Sequence, residues 1–219
     1  MATDGETYKK VYGGKKVLMK SPADLNWSQR RRHYGLAKAL QEAGAEAVYA
    51  DGGEWRIGGT VIRASPPLWH GPAGSKTGRV IAFAVSDGEE RLAFVPDVEG
   101  PVEPEPVVFL KEVKPTVVVV GGPPTYLGWE LEKALQHLAE IIDLGPHTLV
   151  LAHHLLRDLA WREKIEAVLQ RAEKRGIRVA TYAGLLGRGD ELLEAMRREL
   201  YAAEPAPAQL AEEGIDEGD

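Results

Sequence analysis

The 219-residue sequence contains no cysteine. Disulfides, thiolate metal sites and cysteine nucleophiles are excluded with it, so any metal has to be held by imidazole or carboxylate. No apolar run approaches the roughly 20 residues that span a bilayer. The opening MATDGETYKK has no apolar stretch of the kind a signal peptide needs. Both absences point to a cytoplasmic protein with no membrane partner. Positive charge is in deficit, with 27 Lys and Arg against 33 Asp and Glu, a net charge of −6. Phosphate affinity rests on clustered Lys and Arg, so this balance speaks against wholesale nucleic-acid binding while leaving room for a local basic groove. The sequence has no internal repeat, no His-Glu-x-x-His, no Gly-x-Ser-x-Gly and no P-loop. Few methionines, no Gly/Ser linkers and many Arg and Glu make a thermophile-like composition.

What is present is an ordinary apolar share of 44%, enough for a proper core. The patterning predicts a strand over 16–20 and a helix over 26–43, opened by Asn26 or Ser28 and closed by Gly44. Short strands follow at 47–50, 54–57 and 60–64, then a hairpin of 79–87 and 91–96 about Asp87-Gly88. After Asp97 the pattern alternates. A helix over 105–113 precedes the fully apolar strand TVVVV, 116–120. A helix over 129–144 precedes TLVLA, 148–152. A long helix over 159–175, a strand over 177–181 and a helix over 191–202 complete the chain. Two sheets with helices outside them satisfy both halves. One domain is expected over 1–203, with an acidic Pro/Ala-rich tail, 204–219, expected to be disordered.

The informative polar residues are those just beyond apolar strands, where side chains are delivered to a common rim. His70 follows VIRA and the turn SPPLW, Asp97 ends LAFVP, and His153 and His154 end TLVLA. Two imidazoles and a carboxylate on strand ends suit a divalent cation. Read singly, each has an ordinary explanation: a histidine after a turn is commonly a surface residue, and an Asp before a turn a turn-former. Lys76, in the loop after His70, is placed to meet an anionic substrate group. The Gly-rich stretches 71–78 and 121–124 either expose backbone N–H groups to an anion or make tight turns. Arg157 and Asp158 are expected either to pair and brace the histidine loop or to act as helix-terminal charges. Arg30-Arg31-Arg32 reads as a solvated helix face, with a phosphate contact as the sharper alternative. Trp69 and Tyr126 read as core or substrate-wall aromatics.

Five segments, NWSQRRR (26–32), HGPAGSKTG (70–78), PDVEGP (96–101), GGPPTYLG (121–128) and AHHLLRD (152–158), together resemble a largely archaeal branch of the metallo-β-lactamase superfamily. The resemblance covers roughly residues 15–204. It implies an α+β fold, an αββα sandwich, holding one or two metal ions at the sheet edge, usually zinc, with manganese or iron as the other choices. His70 matches a ligand after an early strand, and Asp97 the carboxylate that bridges two metals. His153, or alternatively His154, matches the last ligand. Two departures stand out. The superfamily's His-x-His-x-Asp-His loop is not in this sequence, which reads as an N-terminally truncated form. The branch usually carries Asp before the histidine pair, where this chain has Ala152.

The resemblance thus implies a metal-dependent hydrolase in which an activated water attacks an ester or phosphoester of a small molecule or nucleic acid, with Asp97 and Lys76 as catalytic groups. The alternative is a non-catalytic module of the same fold. A truncated sandwich exposes apolar edges, so association with a second copy or with a missing N-terminal half is expected.

Overall fold

The two apolar runs TVVVV and TLVLA become neighbouring parallel strands at the centre of the molecule. The computed structural model describes residues 5–204, so the tail expected to be disordered lies, Glu204 apart, outside the described residues. In chain order the elements are α1 (Gly5–Tyr12), β1 (Lys16–Met19), α2 (Trp27–Glu42), β2 (Glu46–Tyr49), β3 (Glu54–Ile57), β4 (Thr60–Ala64), β5 (Leu68–Trp69), β6 (Arg79–Val80), β7 (Phe83–Ser86) and β8 (Arg91–Val95). There follow α3 (Glu105–Val113), β9 (Val117–Gly121), α4 (Leu131–Asp143), β10 (Thr148–Ala152), a 3-10 turn (His153–Arg157), α5 (Trp161–Lys164), α6 (Glu166–Lys174), β11 (Arg178–Ala180), α7 (Tyr182–Leu185) and α8 (Arg197–Ala203).

The main sheet has seven strands in the order β11-β10-β9-β8-β7-β4-β3. From β8 to β11 the strands run parallel; β7, β4 and β3 are joined antiparallel. One face carries Ala84, Ala93, Val95, Val118, Val120, Leu149 and Leu151, all buried under α3, α4 and α6 with Leu110, Leu138, Ile142 and Trp161. The opposite face is less covered. A parallel pair, β1 with β2, forms a small second sheet, and a minor core of Ala50, Ala64 and Ile81 packs with Leu18, Trp55 and Phe83. Val85, Leu92 and Phe94, which share the uncovered face, stay 38–42% exposed. The apolar exposure therefore lies on a sheet face as well as at edges.

Most elements sit where the patterning places them. Helix α2 starts on a complete capping box, Asn26 accepting from the Gln29 amide and Gln29 reaching back. Two expectations need correction. The helix expected over 159–175 is broken at Ile165, whose φ of −113° and ψ of 19° leave the helical region while its side chain is fully buried. The helix expected from Glu191 begins only at Arg197. Asp190, tied to Thr181 and to Arg162, holds the preceding segment down in a non-helical path. Helix α1 and the short pair β5–β6 are further elements that the patterning did not mark.

Leu151 sits in the centre of the principal core with no exposed surface. Leu151→Ala should lower unfolding free energy by about 2–5 kcal/mol, read from urea melts; a loss below about 1 kcal/mol would mean the central strand is not packed as described.

Candidate metal centre

Parallel strands deliver their C-terminal ends to one edge of a sheet, and β8, β9 and β10 do so side by side. Asp97 and Glu99 lie just beyond β8, and His153 just beyond β10, with β9 between them. Neighbouring strands are about 4.8 Å apart, so groups flanking a middle strand start roughly 10 Å apart. Yet His153 Nε2 lies 2.7 Å from Asp97 Oδ1. The gap closes because β9 ends in Gly121-Gly122. A Cβ on Gly121 would stand 2.9 Å from the Asp97 amide nitrogen, and one on Gly122 would stand 2.7 Å from the Leu155 Cβ. The glycines of GGPP thus serve close packing of the flanking loops.

His70 arrives from the other side of the sequence. It follows β5, and its loop is closed at the neck by His70 N–H donating to the Gly78 carbonyl, 3.1 Å. The hydroxyls of Ser75 and Thr77 donate to the His70 carbonyl. The loop is docked on the start of α2: Asn26 Nδ2 donates to the Lys76 carbonyl, 2.6 Å, and Gln29 Nε2 to the Arg79 carbonyl, 3.1 Å. The two capping-box residues of NWSQRRR therefore also hold the histidine loop. Arg79 stacks its guanidinium 3.4 Å over the half-buried Trp69 ring.

All four residues expected to surround a metal meet at this edge. The His153 and His154 rings are 4.1 Å apart, and those of His70 and His154 6.0 Å. Donor atoms of Asp97, His153 and His154 lie within 4.8 Å of one another, as do those of a second group, His70, Glu99 and His154. Glu99 is the residue that the sequence reading missed. It stands in the quoted segment PDVEGP, but nothing local marks it as buried. Its burial follows from Gly71, where a Cβ would stand 2.6 Å from Glu99 Oε2. Tyr126, singled out as a core or wall aromatic, is exposed, with its hydroxyl 3.3 Å from His154 Nδ1. Lys76 is outside both groups; its side chain is exposed and has no partner among the described residues. Arg30, Arg31 and Arg32 are exposed on α2.

The backbone here is unusual. Asp97, Glu99 and His153 have φ of 49°, 51° and 60°, a left-handed conformation costing a non-glycine residue on the order of 1 kcal/mol. The electrostatics are also out of balance. Burial keeps the His70 imidazole below its ordinary pKa, and burial with His153 and Arg157 nearby takes His154 down to about 4. Both are neutral near pH 7, with a lone pair free for a cation. The hydrogen bond from His153 holds Asp97 below the usual carboxylate range, whereas burial, with Asp97 nearby, pushes Glu99 up. Three buried atoms, His70 Nε2, Glu99 Oε2 and His154 Nε2, have no hydrogen-bond partner. Orphaned polar atoms of this kind are costly and call for an explanation, and a divalent cation fits this donor set of imidazoles and carboxylates.

The comparisons with known proteins can now be set beside this geometry. The chain is 94% identical over its full 219 residues to a UPF0282 protein of Pyrobaculum arsenaticum and covers 72% of that relative. It is 36% identical over 210 residues to a UPF0282 protein of Methanopyrus kandleri, covering 70% of it. The chain belongs to the UPF0282 family. No protein-family model matches it. Among solved structures, a mutant of CmlA beta-hydroxylase aligns with a TM-score of 0.50 at 14% identity, over 77% of this chain and 43% of that one. Tm1679, described as a metal-dependent hydrolase of the beta-lactamase superfamily, aligns at 0.42 and 14% identity over 79% of this chain and 69% of that one. These likenesses are of fold alone. The mixed α and β architecture expected from the sequence is observed, as a central mixed sheet with helices packed on it. No helix of the described residues is long and apolar enough to cross a membrane.

The bracing of the histidine turn differs from expectation. Arg157 does not pair with Asp158; its guanidinium is 3.9 Å from Glu194. Asp158 is buried, accepts from Thr125 Oγ1 and from Lys164 Nζ, both at 2.6 Å, and from the Ala160 amide at 3.0 Å. Asp158 thereby ties the end of HHLLRD to the GGPPTYLG loop. Burial alone would raise its carboxyl, but Lys164, Thr125 and the Ala160 amide outweigh that and hold it below the ordinary value. A depressed folded-state pKa contributes stability above the unfolded value of ~3.9, lost as pH falls through the folded value. Asp158→Asn should cost about 1–3 kcal/mol at pH 7, and the gap to the parent should shrink below about pH 4. Melts at both pH values check this; a gap that is constant or widens in acid would contradict the assignment.

Proposed function

We propose that this protein is a metal-dependent hydrolase of the metallo-β-lactamase superfamily. A divalent cation, zinc foremost and manganese or iron otherwise, is held within the cluster of His70, Asp97, His153 and His154. The observation that carries this reading is the convergence, at one sheet edge, of three imidazoles and two carboxylates with three buried donor atoms unpartnered. A cation bound there would polarise a substrate oxygen and acidify a water towards a pKa of ~7. That chemistry suits an ester or phosphoester and leaves the substrate itself open.

The chain's own groups have definite parts in this reading. His70 and His154, neutral at pH 7, supply lone pairs. Asp97 and His153 meet at the rim, 2.7 Å apart with each side chain about 40% exposed, where they would face an attacking water. Lys76 extends from the His70 loop and meets the anionic part of a substrate. Tyr126 fixes His154 through Nδ1, as outer partners of ligating histidines do.

The alternative reading is a non-catalytic module of the same fold. Metal and turnover separate the two. Zinc at 100 times its Kd should stabilise the purified chain by about 2.7 kcal/mol. Chelation should abolish hydrolysis of a chromogenic phosphodiester or ester, and added zinc should restore it. His154→Ala, which removes the donor common to both groups, should lose both effects. Zinc binding without chelator-sensitive hydrolysis of any ester tested would leave the module reading standing.

A further inference from the structure

The arginine run on α2 leaves a phosphate contact open, and the fold places Arg32 at a pocket that the metal centre does not use. The pocket lies between β1, α2 and β6 and has a volume of about 340 Å³, within the roughly 300–1,000 Å³ of small-molecule sites. Met19, Leu36 and Ile81 give it an apolar lining, and Lys20, Arg32, His33 and Arg79 bring polar groups to it. No carboxylate lines it, and none of its residues belongs to either candidate ligand group. We propose that this pocket binds an organic oxyanion, with an apolar body against Met19, Leu36 and Ile81 and its charged head held by Arg32, Arg79 and His33. The proposal goes beyond the hydrolase reading and stands without it.

Charge separates this pocket from an ordinary surface groove. Lys20 is neutralised by Asp51 at 2.6 Å and also donates to the Ala23 carbonyl, 2.9 Å. The two guanidiniums have no such neutralisation. Arg79 Nη1 donates to the Pro67 carbonyl, 3.3 Å, and Arg32 Nη2 to the Ser28 hydroxyl, 3.1 Å. Neither has a carboxylate partner among the described residues. Arg79 is half-buried, and a cation withdrawn from water without a counter-charge is unfavourable. An anion in the pocket supplies that counter-charge. The local excess of positive charge stands out in a chain whose net charge is −6, and a concave site of one sign concentrates ions of the other.

His33 is the second, independent observation. It is 7% exposed, and its Nε2 is buried with no hydrogen-bond partner. Among the described residues five buried side-chain polar atoms lack such a partner. Three are at the metal centre, and Asp51 Oδ1 has the Lys20 ammonium beside it. His33 Nε2 is the one that neither the metal centre nor an ion pair accounts for, and its residue lines this pocket. An Nε2–H there donates to an oxyanion, and the guanidiniums add charge-assisted bonds to the same group. Arg79 is set in place before a ligand arrives, between the Pro67 carbonyl and the Trp69 ring 3.4 Å below it. Little side-chain freedom is then lost on binding.

The test compares two fluorescent probes titrated into the full chain: anilinonaphthalene sulfonate, an apolar body with an oxyanion head, and phenylnaphthylamine, the same body without the sulfonate. The sulfonate should saturate a single site and bind at least about 10-fold more tightly than the neutral probe. Arg32→Gln and Arg79→Gln should each weaken the sulfonate by about 5–10-fold and leave the neutral probe within about 2-fold. The ring signals of His33, assigned by their loss in His33→Gln, should move in proton–carbon NMR spectra with the same saturation. Equal affinity for the two probes, which the uncovered face of Val85, Leu92 and Phe94 would give, overturns the proposal. So does sulfonate binding that Arg32→Gln leaves unchanged, or that leaves the His33 signals in place. Circular dichroism melts establish that each variant folds. Should Arg79→Gln fail to fold, Arg32→Gln and the His33 signals decide, because Arg32 is exposed and its replacement leaves the core intact.

Discussion

The site depends on the absence of side chains at the end of one strand. Strand β9 lies between the strands that deliver Asp97 and His153, and any side chain on Gly121 or Gly122 would push the flanking loops apart. With two hydrogens there instead, the Asp97 backbone and Leu155 close over the strand end, and the acid from one neighbour meets the imidazole from the other. Gly71 does the same for the third approach, clearing space for Glu99 beside His70. The principle is steric: a polar cluster in a packed interior needs volume that the backbone alone can vacate.

That clearance is used to hold an arrangement that is unfavourable by itself. Asp97, Glu99 and His153 all adopt left-handed backbone conformations, and a carboxyl is buried between two imidazoles without a bond to either. Each feature costs free energy, and the surrounding structure supplies it. In the principal core behind the strands Val118, Val120, Leu149 and Leu151 have no exposed surface, and the two loops are locked by the Asp158 network and by the Asn26–Gln29 cap. Strain and unmet bonding concentrated at one edge, against regular packing everywhere else, is the distribution expected where a fold serves a ligand.

How much of this was legible in the sequence follows from the range of the interactions involved. Apolar runs such as TVVVV and TLVLA announce buried strands, and Asn26 with Gln29 announces a helix start, because those signals are local. His70, Asp97 and the histidine pair could be singled out because each sits at a strand end, a position the pattern marks. Glu99 could not, since its burial is decided by Gly71, a residue distant in sequence. The break at Ile165 was hidden by continuous helical patterning on both sides of it. Arg157 and Asp158, adjacent in sequence, suggested a pair, but Lys164 and Thr125 were better placed in space to satisfy the carboxylate.

The resemblance and the geometry weigh the histidine pair differently, and the reason is physical. Position after a strand favours His153, which is the first residue beyond β10. But its left-handed backbone turns it to the rim, where its Nε2 is already bonded and its side chain is 42% exposed. His154, one residue on, is carried inward by the 3-10 turn, and its Nε2 is buried with no bond made. A cation gains most where donors are desolvated and unpaired, because there it has no hydrogen bond to displace. Two adjacent histidines thus acquire different surroundings from a single backbone reversal: the inner one is buried and unbonded at Nε2, and the outer one meets Asp97 at the rim.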